Sequence, residues 1–227
     1  MIKTIRVMLI PNNRQRSKLF QYANTARFAY NWALAKEQEN YKNGGKFLSD
    51  VDLRKEFTKM KQTQEYIWLN TISNNVTKQA IKDAYKKFFK GLAKFPKFKS
   101  RKKTTPSFYQ DNVKIQFSDT HVKVEGFATS KKKNKQKLNW IRLAEHNRIP
   151  INCKYSNPRI KFDGLNWWIT VGVEYPDSIT TPQNEGVGID LGIKDLVICS
   201  DGNKYKNINK HHEIKQLEKK KRRLQRS

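Results

Sequence analysis

A chain of 227 residues has room for one large domain or two small ones, and for a real core. Its 47 Lys and Arg against 20 Asp and Glu leave a formal net charge of +27, so the expected partner is a polyanion. Five Trp, nine Tyr and twelve Phe exclude a disordered basic tail, and a mean hydropathy of −0.86 excludes an integral membrane protein.

The N-terminal MIKTIRVMLIPNN is interrupted by Arg6 and Pro11 and has no signal-peptide core, which points to the cytoplasm. Residues 2–10 read as a strand, with Ile5, Val7 and Leu9 alternating with Thr4, Arg6 and Met8. From residue 14 the period changes. Leu19, Ala23, Ala26, Tyr30, Ala33 and Leu34 recur at three and four, the face of a helix that Asn12 or Asn13 can cap. Gly44 and Gly45 break it. Ser49 with Asp52 starts a second helix carrying Leu53, Phe57 and Met60. Ser73 starts a third, with Val76, Ala80, Ala84 and Phe88 in one stripe and Gly91 near its end.

Strand signals return at Val113, Ile115 and Phe117, then at Val122 and Val124, and then at 140–143. Ile160 and Phe162 lead through an Asp163-Gly164 turn into the alternating run 167–175. Strand 2–10 needs partners, so it is expected to join the strands of 107–175, with the helices inserted between them. After a polar linker at 176–185, GVGIDLG and LVICS form a strand pair, 204–206 a third strand, and the basic tail a helix with Ile214, Leu217, Lys221 and Leu224 on one face.

Three places offer chemistry. Asp190 shares its strand face with Gly188 and Gly192, opposite Val187, Ile189 and Leu191. It reads either as a carboxylate with open space for Mg²⁺ and a phosphate, or as an exposed hairpin residue. In KKFFKGLAKFPKFKSRKK at 86–103, nine of eighteen residues are basic and none is acidic, with Phe88, Phe89, Phe95 and Phe98 interleaved. The charges suit phosphates and accessible rings can stack on bases, whereas Phe88 continues the apolar stripe and is expected in the core. A second basic run lies at 131–137. In YNWAL at 30–34, Asn31 is disfavoured mid-helix, which suggests a buried hydrogen bond or a ligand contact. Cys153 and Cys199, and His121, His146, His211 and His212, have no metal-ligand spacing.

These pieces together resemble the OrfB/TnpB proteins of insertion sequences, RNA-guided DNA nucleases with a RuvC-type domain. The matching runs are RFAYNWAL (27–34), DLRKEFTKMK (52–61), YIWLNTISNNVTKQAIKDAYKKFFKG (66–91), FPKFKSRKK (95–103) and GVGIDLGIKDLVICSDG (186–202), in family order. The resemblance implies an α+β fold. A wedge-type β-barrel would comprise 1–12 plus 104–180, an inserted helical recognition domain 13–103, and the first strands of an RNase H-like (RuvC) domain 186–227. It implies guide RNA and target DNA as partners and Mg²⁺ as cofactor, with Asp190 as the first catalytic, metal-binding carboxylate. Expected nucleic-acid contacts are Lys86, Lys87, Lys90, Lys94, Lys97, Lys99, Arg101, Lys102, Lys103, Tyr30 and Asn31. Asn75, Lys78 and Gln79 are expected to read a motif beside the target.

The chain departs from the family pattern in having no counterpart of the two later carboxylates or of the four-Cys zinc element. That leads to the expectation of a C-terminally truncated nuclease that binds nucleic acid without cutting alone, in the cytoplasm and on the nucleoid. A nuclease-inactive RNA-guided repressor and a general basic RNA-binding protein are the alternatives; GIDLG has no role in the latter.

Overall fold

The computed structural model describes residues 1–128, 137–151, 153–175 and 186–226, and no helix among them is long and apolar enough to cross a membrane. The basic residues 131–136 and the linker 176–185 lie outside the described residues. The chain divides into two units, Met1–Pro176 and Asp177–Ser227.

The first unit is a mixed helix-and-sheet structure built on a seven-stranded antiparallel sheet. Strand β1 (Ile2–Ile10) lies at its centre. It pairs with β7 (Trp167–Glu174) from Ile2↔Glu174 to Leu9↔Trp167, and at its end with β5 (Trp140–Leu143). Beyond β7 come β6 (Tyr155–Phe162) and β2 (Ser107–Tyr109). Beyond β5 come β4 (His121–Lys123) and β3 (Gln116–Phe117). So the first strand does find its partners more than a hundred residues later. β2 and β3 are the two edges of the sheet.

Between β1 and β2 lie three helices: α1 (Asn13–Lys42), α2 (Asp50–Met60) and α3 (Asn74–Phe89). Asn12, not Asn13, caps α1. Its side chain accepts from the Gln15 N–H at 2.9 Å, and its own N–H donates to Gln15 Oε1 at 3.0 Å. The buried Gln15 amide also donates to the carbonyls of Leu138 and Trp140, at 3.1 and 2.7 Å, tying the helix start to β5. Ser49 and Ser73 cap α2 and α3 as their positions suggest. A 3-10 stretch over Gln64–Thr71, which periodicity does not reveal, delivers Leu69 to the core.

Two cores result. Val7, Leu9, Phe117, Ile141, Ile160, Trp167 and Ile169 of the sheet enclose Leu19, Tyr22, Ala23 and Ala26 of α1. Ala29, Tyr30, Ala33 and Leu34, further along the same helix, pack with Leu53, Phe57, Leu69, Ile81 and Tyr85. Gly126 sits at φ +81° against the Tyr22 hydroxyl, which donates to the Glu125 carbonyl at 3.0 Å. Any side chain at 126 meets both a strained backbone and that ring.

One strand expectation is corrected. Val113 is 83% exposed in a turn, because the Asp111 carboxylate accepts from the N–H groups of Val113 and Lys114 and curls the chain there; β3 begins only at Gln116. The turn expected at Asp163-Gly164 is realised and spans 163–166, since Phe162 pairs with Trp167 and the Asp163 carboxylate accepts from the Leu165 and Asn166 N–H groups.

The second unit is a small antiparallel sheet, β8 (Ile189–Leu191), β9 (Asp195–Cys199) and β10 (Lys204–Lys206), with β9 in the middle. Helix α4 (His212–Leu224) follows. None of these strand or helix residues is buried, and Val187, Ile189, Leu191 and Ile193 are exposed. With so little apolar area removed from water, this unit gains little hydrophobic stabilisation. Native-state hydrogen exchange is expected to be fast over 186–226 and slow in the strands and helices of 1–175. Equal protection of both units would contradict this account of their packing.

Candidate nucleic-acid interface

Within the first unit a cleft of about 540 Å³ opens between the middle of α1, the face of α3, the segment leading into β2, and β6 with its following turn. Its walls carry Arg27, Lys99, Arg101, Lys102, Lys103 and Arg159, against only Asp83 and Asp163. Both carboxylates are already engaged. Asp83 accepts from Arg159 Nη2 at 2.7 Å and from Gln79 Nε2 at 2.8 Å. Asp163 accepts from the Trp168 indole N–H at 2.6 Å besides its two turn amides. The Nε of Arg27 is buried with no hydrogen-bond partner, an unusual state for a guanidinium. The cleft is a cationic concavity with donors to spare.

The segment 99–103 has no regular structure, yet it is fixed. Asn31 accepts from the Lys99 N–H and donates to the Lys99 carbonyl, both at 2.9 Å. Its amide thus mimics a neighbouring strand and pins the basic segment to α1. The hydrogen bond expected of Asn31 is thus present. Tyr30, 8% exposed, lies beneath Lys99, whose Nζ stands 3.6 Å from the ring centroid. Tyr30 and Asn31 therefore position the cationic segment. Burial pulls Lys99 below the ordinary lysine range; Asp83 opposes this, and Arg159 and Lys87 reinforce it. An arriving anion would reverse that shift.

The expected contacts divide accordingly. Lys99, Arg101, Lys102 and Lys103 line the cleft, whereas Lys86, Lys87, Lys90, Lys94 and Lys97 are exposed outside it. Asn75, Lys78 and Gln79 share one face of the first turns of α3. Asn75 donates to Glu125 Oε2 at 3.2 Å, Gln79 is held by Asp83, and Lys78 is exposed. Arg27 and Arg159 are absent from the sequence-derived set. Arg27 stands one helical turn before Asn31, and Arg159 takes the outward position beside the buried Ile160, so both were visible only once partner faces were known.

Phe88 is a further correction. It is 37% exposed, because the buried stripe of α3 ends at Tyr85.

Asp190 lies exposed on β8, opposite Ile198. The expected open space beside it is only partly there. A Cβ at Gly192 would fall 2.7 Å from the Asp195 carbonyl oxygen, and one at Gly188 would touch Ser200. These glycines serve the hairpin's own backbone. Among the described residues no three His, Cys, Asp or Glu side chains converge as metal ligands. The described residues therefore do not fit a two-metal centre, which needs several carboxylates.

The family described as "Helix-turn-helix domain", of the OrfB IS605 type, matches residues 1–46. A protein of Escherichia coli (strain K12) named as an RNA-guided DNA endonuclease, InsQ, is 26% identical over 214 residues, 92% of this chain and 50% of its own length. A protein of Streptomyces pristinaespiralis named as an RNA-guided DNA endonuclease is 24% identical over 200 residues, 87% of this chain and 48% of its own length. The chain is similar to both proteins over most of its own length. It spans about half the length of the curated relatives it matches. A Cas12f1–sgRNA–target DNA complex aligns with a TM-score of 0.37 at 12% identity, covering all of this chain and 61% of that one. The family's matched stretch is folded here as β1 and the single unbroken helix α1, so the helix-turn-helix of its description is not two helices and a turn within 1–46.

Asn31→Leu is expected to remove both bonds to Lys99 at similar side-chain volume. The loss should be about 1–3 kcal/mol in denaturant unfolding, with faster amide exchange at Lys99. An unchanged stability and exchange rate would show that the segment is held by something else.

Proposed function

We propose that the chain acts in an RNA-guided DNA endonuclease of the transposon-associated kind, and that residues 1–175 grip its guide RNA and target DNA. The observation that carries this reading is the cleft, in which six cationic side chains meet two engaged carboxylates and one buried guanidinium nitrogen lacks a partner. Arg27, Lys99 and Arg159 would take backbone phosphates at the cleft floor, and Arg101, Lys102 and Lys103 at its rim. Asp83 would hold Arg159 and Gln79 in place.

In the same reading the seven-stranded sheet is the wedge-type element, and 13–103 is the inserted recognition block. Asn75, Lys78 and Gln79 face the motif beside the target, and 186–226 contains the opening strands of an RNase H-like domain. Asp190 would be the first carboxylate of that domain's Mg²⁺ site. The guide RNA would come from the transposon end.

A second reading, binding without cleavage, is favoured by one observation: Asp190 has no converging carboxylates among the described residues. Incubation of the chain, extended to the full length of the curated relatives, with guide RNA, target DNA and Mg²⁺ separates the two. DNA cleavage abolished by Asp190→Ala supports the nuclease, and guide-dependent binding without cleavage by the extended chain supports the second reading. Binding that ignores the guide would contradict both and leave a general basic RNA-binding protein.

If the six cleft cations contact phosphates, affinity for RNA is expected to fall about a thousandfold between 50 and 200 mM salt. Lys102→Ala should lower the salt slope by about 1. Asp190→Ala, remote in chemistry from the cleft, should leave affinity unchanged. A flat salt dependence in the titration would contradict the cleft reading.

A further inference from the structure

Where α3 runs out, the apolar stripe does not turn inward. Phe88 is 37% exposed, Phe89 58%, Phe95 51% and Phe47 51%, and Phe98 nearby is 54% exposed. The first four form one cluster. Phe47 lies 4.3 Å from Phe89, and Phe88 lies 5.3 Å from Phe89 and 5.4 Å from Phe95, by ring centroids. The buried Tyr85 supports them from beneath, in ring contact with Phe47, Phe89 and Phe95. Each contact among the exposed rings is edge-to-face, so they brace one another while leaving ring area to solvent. An exposed apolar cluster of this kind, rimmed by charge, marks an interaction surface.

The rim identifies the partner. Lys86, Lys87, Lys90, Lys94 and Lys97, interleaved with the rings along the chain, are exposed. Residues 84–103 contain no acid, and none of the five lysines has a carboxylate within ion-pair distance among the described residues. A second copy of the chain would bring the same lysines against these. A polyanion with exposed flat apolar groups fits both the charge and the rings. The patch is linked to the cleft along the chain, which runs from Phe95 through Phe98 into Lys99, where Asn31 fastens it.

We propose that this aromatic cluster is a stacking platform for unpaired bases, taking a single-stranded stretch of nucleic acid whose backbone continues into the cleft. It rests on the reading that the cleft binds nucleic acid, and it names the part of the ligand the platform selects. In a duplex the base faces are covered by their neighbours, so only unpaired bases can stack on Phe89 and Phe95. The lysines hold the phosphates and the rings hold the bases.

Three ligands of equal phosphate count test this by fluorescence anisotropy: a short oligouridine, an abasic strand of the same length, and a duplex. The wild-type protein is expected to bind oligouridine about tenfold more tightly than the abasic strand. In the double variant Phe89→Leu/Phe95→Leu, which keeps apolar side chains at exposed positions, that preference should vanish while abasic and duplex affinities stay as they were. Equal wild-type affinity for oligouridine and the abasic strand overturns the platform while leaving the cleft reading intact. Persistence of the preference in the variant overturns it too, as does an equal loss for all three ligands. Ring-dependent binding to phosphatidylserine vesicles without a base preference would assign the patch to a membrane surface instead. A wild-type protein that binds none of the three overturns the nucleic-acid reading itself.

Discussion

Everything in the first unit hangs on one helix shared by two cores. At 1.5 Å per residue, the 30 residues of α1 extend about 45 Å. The stretch from Leu19 to Ala26 is embedded against the sheet, and the stretch from Ala29 to Leu34 against α2 and α3. No hinge separates the two cores along this route, because the helix is continuous through both. The cleft lies where the helix passes from one core to the other, with Ala23, Ala26 and Arg27 on its wall and Asn31 one turn further on. The family's match over 1–46 covers the central strand of the sheet and this helix, the parts on which the remaining geometry is built.

Charge then acts on a fixed frame. The Asp83–Arg159 pair joins α3 to β6 but is partly exposed, so it contributes little to stability and serves chiefly to orient the guanidinium. Desolvation is the larger influence on Lys99, and it weakens the ammonium form that a phosphate would stabilise. The Arg27 Nε is likewise left without an acceptor. Groups like these cost stability, and under the proposed function a bound phosphate would offset that cost.

Much of this was legible in the sequence because local rules and tertiary packing agree there. The caps at Asn12, Ser49 and Ser73, the α1 stripe and the alternation of β1 and β7 are all realised. The failures occur where one residue outweighs the pattern. Asp111 captures two backbone amides and turns a strand-like run into a turn. Phe88 keeps the stripe's spacing after the core that the stripe would fill has ended at Tyr85. Gly192 looks like room for a ligand, yet the Asp195 carbonyl fills that room. Asn31 was conspicuous as a polar residue in mid-helix, but its partner lies 68 residues away and no local rule could name it. Arg159 was hidden for the same reason, its carboxylate lying 76 residues off on α3.

The central claim is that the cleft fixed by α1 and Asn31 is the nucleic-acid interface. Lysine acetylation footprinting of the protein with and without bound RNA tests it most directly. The account predicts strong protection of Lys99, Lys102 and Lys103 on binding, with Lys55 and Lys59 of α2 as reactive as in the free protein. Protection of the α2 lysines with Lys99, Lys102 and Lys103 left reactive would place the nucleic acid elsewhere and contradict it.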